Sequence, residues 1–358
     1  MPNPFLPPLL LSATIAFITT YFVIKFAWKL NFLDDPKIHK HEKVIHDKPI
    51  PRAGGLAIFI AILATSLIYL PLDKHLKGIL IGATVLVIMG LIDDALLARG
   101  KEFNPYLRLI IQFLAASIPI IAGIGIAYVK IPFGNILDLS HPQINFFLFG
   151  EQRSIWIISD LFALLWIVTI MNFLNWGAKG VEGQLSGVVA IAAGTLALLS
   201  LRFSADITEW PVIILAVITS GAFFGFLPWH TFPQRIMPGF GGSNLGGYLL
   251  AVLSILTTAK VGTLAIVIGI PLIDSSYTII RRLLARKSPV WGDRGHLHHK
   301  LLDIGWSKKQ VTFFYWGTTL LLGFIALQLN GQSKFYTIIG ITLLIGGFLL
   351  WLNHHSKQ

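Results

Sequence analysis

Apolar residues in this chain come in long, nearly unbroken runs separated by short polar stretches. Eleven runs, at roughly 5–30, 53–71, 78–97, 105–128, 154–175, 183–202, 211–229, 244–258, 261–283, 310–329 and 335–352, are candidates to span a bilayer core of about 30 Å. The run at 244–258 is the short one and reads as tilted or partly broken. Runs of this kind predict an all-α polytopic membrane protein with about 11 transmembrane helices. The segment 129–153, with Pro132, Gly134 and alternating apolar residues, predicts a small hairpin outside the membrane.

Composition agrees with that pattern. Of 358 residues, 54% are hydrophobic and 13% charged, which is too apolar for a soluble domain. No polar stretch is long enough to fold alone, so residues 1–358 form a single integral-membrane domain. Cysteine is absent, which excludes disulfides and thiolate metal sites. With this hydropathy, the net charge of +11 points to anionic lipid headgroups and phosphorylated substrates, and not to nucleic acid. Lys25 and Lys29 follow the first run without a small-residue cleavage site, so that run reads as an anchor.

Lysine and arginine give the orientation. With the N-terminus outside, the outer loops hold Lys74, Lys77, Lys130, Arg153, Arg202, Lys260 and Lys334. These are seven of 28 basic residues, leaving 21 inside. The positive-inside rule then puts the N-terminus outside and the C-terminus in the cytoplasm. The expected location is the plasma (inner) membrane, with loops 31–52, 93–105, 175–183, 230–243 and 284–309 forming a cytoplasmic active-site face.

Chemistry is concentrated in those loops. Asp93 and Asp94 end an apolar run, where acidic side chains oppose the helix dipole and ionisable groups are costly. They are candidates to hold a divalent cation and to orient an attacking phosphate; the plain alternative is a hydrated helix end. Arg52, before Gly54-Gly55, is placed to meet a phosphate, and so are Lys101 and Arg108. His39, Lys40 and His41 read as a solvated basic loop. Asn172 and Asn175 are three apart and share a helix face ahead of the polar stretch Lys179-Gly180-Val181-Glu182-Gly183. Pro238–Asn244 reads as a glycine-rich loop before a helix, suited to an anion. In Asp293-Arg294-Gly295-His296-Leu297-His298-His299, arginine beside histidines suits phosphate oxygens better than zinc. Asp274 lies inside an apolar run as a candidate satisfied polar group.

Four of these stretches, in this order, resemble the polyprenyl-phosphate N-acetylhexosamine-1-phosphate transferases of glycosyl transferase family 4. They are His46 with Pro51–Gly55, Gly90–Asp94, Asn172 with Asn175, and Asp293–His299 with Leu302 and Gly305. The resemblance covers roughly residues 30–310. It is closest to the branch that uses simple UDP-sugars, the undecaprenyl-phosphate N-acetylglucosaminyl-1-phosphate transferases. It implies that the phosphate of a polyprenyl phosphate attacks the β-phosphate of a UDP-N-acetylhexosamine, releasing UMP, with Mg²⁺ (or Mn²⁺) as cofactor. The product is the lipid-linked sugar that begins a cell-envelope glycan. Asp93 and Asp94 match the carboxylate pair, Asn175 a metal- or substrate-binding asparagine, and Arg294, His296, His298 and His299 the loop around the nucleotide-sugar phosphates. The implied metal set is Asp93, Asp94, Asn175 and Glu182, with Arg52, Lys101, Asn172 and Lys179 as further substrate contacts. The partners implied are polyprenyl phosphate, a UDP-sugar and the bilayer; a homodimer is compatible.

Two positions depart from the family pattern. Lys179 stands where the first acid of an Asp-Gly-x-Asp-Gly stretch is expected. Phe240, in Gly239-Phe240-Gly241-Gly242-Ser243, stands where the family has a metal-ligating aspartate. Phenylalanine offers no oxygen to a hard cation. Two other readings therefore stand beside the transferase: a non-catalytic homologue that binds lipid phosphate or nucleotide-sugar, and, from the number of spans alone, a transporter.

Overall fold

The computed structural model of the protein describes residues 4–38, 46–130, 136–148, 151–201, 209–257, 260–288 and 294–355. His39, Lys40, His41 and Asp293 lie outside the described residues. The helices are α1 (Leu6–Lys29), α2 (Gly54–Tyr69), α3 (Lys74–Leu97), α4 (Pro105–Ile121), α5 (Ile157–Gly177), α6 (Gln184–Ser200), α7 (Trp210–His230), α8 (Gly239–Leu256), α9 (Lys260–Val267), α10 (Gly269–Leu284), α11 (Leu297–Asp303), α12 (Lys308–Gln328) and α13 (Gly331–His355).

Their starts follow local chemistry. Asp73 caps α3 by accepting from the Leu76 N–H at 2.8 Å, and Asn104 caps α4 ahead of Pro105 at the first helical position. Ser307 and Gln310 form a capping box at α12.

Each of the eleven apolar runs is helical, and the run at 261–283 is divided between α9 and α10, which meet at 86°. Among the described residues, seven helices (α1, α3, α5, α7, α8, α12 and α13) are long and apolar enough to cross a membrane, or eight spans if the bent pair is one. The apolar helices α2, α4 and α6 are shorter, at 16, 17 and 17 residues. The chain is thus a mainly helical, multi-pass membrane protein.

The small strands sit outside the bundle. The pair β1 (Leu33–Asp34) and β2 (Ile50–Pro51) closes the base of the 31–52 loop. Where one hairpin was expected there are two antiparallel pairs, β3 (Tyr128–Lys130) with β4 (Ile136–Asp138), and β5 (Gln143–Leu148) with β6 (Glu151–Trp156).

Helix α8 is the hub. It packs against α2, α3, α5, α6, α7 and α9, and 94% of its apolar window is buried inside the protein. The stretch Pro238–Asn244, expected as a loop, is instead the entry and first two turns of α8. Its glycines explain the difference. A Cβ at Gly90 would overlap the backbone of Gly241, and one at Gly55 the backbone of Gly242, so α3 and α2 approach α8 backbone to backbone.

Candidate active site

The polar groups of the sequence converge on the first turn of α8. Gly239 enters it at φ +69°, and a Cβ there would collide with the Asp94 carboxylate. Both oxygens of Asp94 are used. Oδ1 accepts from Arg52 Nε at 2.8 Å and from the Phe240 N–H at 3.4 Å; Oδ2 accepts from the Ala53 N–H at 3.1 Å. Ala53 sits at φ +72°, a conformation that costs a non-glycine residue roughly 1–3 kcal/mol. The same loop is tied to the α8 entry by Met237 N to Pro51 O at 2.8 Å and Gly54 N to Met237 O at 3.1 Å. Arg52 Nη1 also donates to Asp34 at 2.7 Å. Burial alone would lower the Arg52 pKa, but Asp94 and Asp34 outweigh it and hold the guanidinium above its ordinary value. Arg52, expected to face a phosphate, is thereby the buried link between two carboxylates.

Asp93, one residue earlier, is nearly fully buried on α3. Its Oδ1 accepts from Arg108 through Nε, at 2.8 Å, and through Nη2. The Arg108 guanidinium in turn lies over the Phe240 ring, 4.9 Å from its centroid. On the other side of the α8 entry, Lys179 Nζ donates to Asn175 Oδ1 at 3.1 Å and lies 3.5 Å from Ser243 Oγ, which itself donates to Asn175 Oδ1 at 2.7 Å. Burial, helped by Arg52, pulls the Lys179 ammonium down to about 8, against the opposing pull of Asp94 and Asp93. Lys179 therefore shares a field with both aspartates and both arginines. The loop that carries it is held by Gln184, whose Oε1 accepts from the Gly180 and Val181 N–H groups at 2.9 and 3.1 Å.

The histidine loop docks against that stretch. Asp274, fully buried on α10, pairs with His296 Nδ1 at 2.9 Å and accepts from the Leu297 N–H at 2.8 Å, so the polar group inside the apolar run anchors the start of α11. His296 and His298 rings are parallel at 5.7 Å. A Cβ at Gly180 would overlap the His298 ring, which sets His298 against the residue after Lys179. His299 lies 4.3 Å from His298, ring to ring.

Other expected site residues face elsewhere. Glu182 accepts from Lys308 Nζ at 2.9 Å, on the α12 side. Arg294 pairs with the half-exposed Asp303 at 2.7 Å. Lys101 is exposed beyond the end of α3. Asn172 belongs to a buried amide network, accepted by Gln112 Oε1 at 2.9 Å and by the Val168 carbonyl at 2.8 Å, with Gln112 donating to Asn244 at 2.5 Å. Asp34 and Ser243 enter the cluster, and Gln112 the amide network, without having been singled out as site residues. Arg108, on the next helix after the carboxylates and expected to meet a phosphate, instead holds Asp93.

These contacts bear on the metal. Asp94 accepts from three donors, Asp93 Oδ1 holds Arg108, Asn175 Oδ1 accepts from Lys179 and Ser243, and Glu182 Oε1 faces Lys308; among the described residues, Asp93 Oδ2 and the buried Glu182 Oε2 receive no hydrogen bond. Among the described residues, no three His, Asp or Glu side chains are grouped to hold an ion. The donor set does not fit a resident divalent cation. One consequence is measurable: Glu182→Gln should keep turnover within about tenfold of the parent, a barrier change under about 1.4 kcal/mol. A loss of several orders of magnitude in a UMP-release assay would put Glu182 back in the reacting centre.

A multi-pass helical bundle with paired carboxylates, buried cations and a histidine loop at the α8 entry defines a membrane-embedded phosphate-handling protein. Glycosyl transferase family 4 matches residues 76–258, more than half of the chain, and the chain belongs to that family. It is similar to the probable undecaprenyl-phosphate N-acetylglucosaminyl 1-phosphate transferase of Bacillus subtilis strain 168, 26% identical over 94% of this chain and 88% of that protein. It is also similar to the undecaprenyl-phosphate alpha-N-acetylglucosaminyl 1-phosphate transferase of Thermotoga maritima, 26% identical over 91% and 90%. A third relative is the phospho-N-acetylmuramoyl-pentapeptide-transferase of Caldanaerobacter subterraneus, 27% identical over 88% and 96%.

Proposed function

We propose that the chain transfers an N-acetylhexosamine-1-phosphate from a UDP-sugar to a polyprenyl phosphate. An oxygen of the lipid phosphate forms a bond to the β-phosphorus. The bond from that phosphorus to the α–β bridging oxygen breaks, and UMP leaves with that oxygen. The observation that carries the reading is the convergence of the buried Asp93, Asp94 and Ser243 with the half-buried Arg108, Asn175 and Lys179 within the family-matched region. Charge on a transferring phosphoryl group calls for positioned cations, not for covalent chemistry by the protein. Lys179 has three N–H donors and two neighbouring oxygens, leaving donor capacity for a phosphate. Asp94 acts as a positioning residue that locks Arg52 and the Phe240 backbone. Asp93 aims Arg108, and His296, His298 and His299 close the site from the 294–303 side.

In this reading the eleven helical runs all cross the inner membrane, α9 and α10 as one bent span. The N-terminus is outside, and the loops bearing the site face the cytoplasm, in line with the 21 inner basic residues. UDP-sugars are cytoplasmic and polyprenyl phosphate is confined to the bilayer, so a site at the membrane boundary meets both. The resemblance leads to an expectation of Mg²⁺; the donor set above does not suit it, and no step here is routed through a metal.

The test is direct. Purified protein supplied with undecaprenyl phosphate and UDP-N-acetylglucosamine, or another UDP-N-acetylhexosamine, is expected to release UMP only when both substrates are present. Lipid and nucleotide binding without UMP from any UDP-sugar would instead make it the non-catalytic homologue that Phe240 suggests.

A further inference from the structure

Resting on the reading above, we infer that this chain carries its cation built in. The Lys179 ammonium, with Arg108 held over Phe240, serves the diphosphate of a nucleoside diphosphate in place of a divalent metal. Four observations converge on this.

The first is position. Lys179 Nζ bridges Asn175 at the end of α5 and Ser243 in the first turns of α8, and it interacts electrostatically with Asp93, Asp94, Arg52 and Arg108. It is the cation at the centre of the cluster. The second is the oxygen inventory. A hard divalent ion wants about six oxygens, yet both oxygens of Asp94, Oδ1 of Asp93 and Oδ1 of Asn175 already accept from Arg52, Ala53, Phe240, Arg108, Lys179 and Ser243, which leaves Asp93 Oδ2 as the one carboxylate oxygen of this set without a hydrogen bond among the described residues.

The third is Phe240. Its ring supplies no lone pair, but its face receives a guanidinium at 4.9 Å. The side chain at this place therefore retains an organic cation instead of ligating a metal. The fourth is charge. Three carboxylates, Asp34, Asp93 and Asp94, stand against three cations, Arg52, Arg108 and Lys179. A divalent ion entering this balance would add two positive charges beside three fixed ones and would have to displace Lys179 from its oxygens. A phosphate asks for no such displacement, because an ammonium binds it as a point charge through its remaining donor.

The experiment uses the full-length protein in detergent, with UDP and UDP-N-acetylglucosamine as binding probes titrated calorimetrically in EDTA and again in millimolar Mg²⁺, and with undecaprenyl phosphate added to UDP-N-acetylglucosamine in the same two buffers for UMP release. The parent protein is expected to bind UDP with dissociation constants within about threefold of each other in the two buffers, and to release UMP in EDTA. Lys179→Met is expected to bind UDP at least about tenfold more weakly, with no restoration by Mg²⁺. The double variant Lys179→Asn, Phe240→Asp, which exchanges the ammonium for two oxygen donors, is expected to need Mg²⁺ for binding. Parental binding or UMP release that disappears in EDTA and returns with Mg²⁺ overturns the inference and leaves the transferase reading standing. Unchanged UDP affinity in Lys179→Met also overturns it. Absence of both UDP binding and UMP release in either buffer overturns the transferase reading and the inference together. Should Lys179→Met fail to fold, the comparison of buffers on the parent protein decides alone.

Discussion

Asp94→Ala is expected to lower folding stability by about 3–5 kcal/mol, because it strips a buried guanidinium of its partner, and to remove turnover altogether. Asp94 is almost fully buried and satisfies three donors, two from the Pro51–Gly55 turn and one from the first turn of α8. Without it, Arg52 keeps Asp34 at 2.7 Å as its hydrogen-bonded carboxylate among the described residues, and the Ala53 and Phe240 N–H groups lose their acceptor in a dry site. The strained Ala53 backbone loses the bond that offsets its strain, so the Pro51–Gly55 turn should separate from the α8 entry. Replacing both partners with apolar residues, Arg52→Met with Asp94→Leu, is expected to recover part of the stability, since a matched deletion leaves no orphan charge. It should not recover UMP release, because the α8 turn that aims Ser243 and Phe240 stays unlocked. Thermal unfolding in detergent separates the effects. A single variant melting within about 2 °C of the parent would remove Asp94 from this clamping role.

The helices were legible because a run of apolar residues marks a helix that lies in lipid or in the core, and every run is helical, although among the described residues only seven helices, or eight spans with the bent pair, have the length and apolarity to cross a membrane. What the run pattern concealed was which helix lies at the centre. Helix α8 begins in Gly239, Gly241 and Gly242, and glycines in sequence read as a loop. Only the facing glycines of α2 and α3, nearly 190 and about 150 residues away in the chain, turn them into a packing surface. The site was legible as residue types but not as pairings. Arg52 in a Pro-Arg-Ala-Gly-Gly turn looks like a phosphate ligand until Asp94, 42 positions on, claims its Nε. Glu182 looks like a metal ligand until Lys308, 126 positions on, claims its Oε1. Charge and burial cost can be read locally; the partner that offsets the cost is set by the fold. Phe240 was visible as a departure in sequence, but its use as a seat for the Arg108 guanidinium required the distance.

The same packing logic makes Gly90→Ala the second severe substitution. A methyl group at Gly90 would overlap the N and Cα of Gly241, which are backbone atoms and cannot rotate away. Relief requires α3 and α8 to move apart, and overpacking of this kind costs about 1–3 kcal/mol or more. The displacement falls where it does most harm. Gly90 is one turn before Asp94 on α3, and Gly241 is one residue after Phe240 on α8, so separating the two helices pulls the Asp94 carboxylate away from the Phe240 N–H and Arg108 away from the Phe240 ring. Turnover is therefore expected to fall by about a hundredfold or more, beyond what the stability loss alone would give, since removing a positioned charge contact costs about 2.7–4 kcal/mol of transition-state stabilisation. Gly317→Ala supplies the control. It replaces a glycine inside α12 whose added Cβ meets nothing within 4 Å, and it should leave turnover intact while raising stability by about 0.5–1 kcal/mol. A Gly90→Ala protein with parental melting and parental UMP release would mean that α3 and α8 are not in backbone contact, and the α8 entry would lose its standing as the hub of the site.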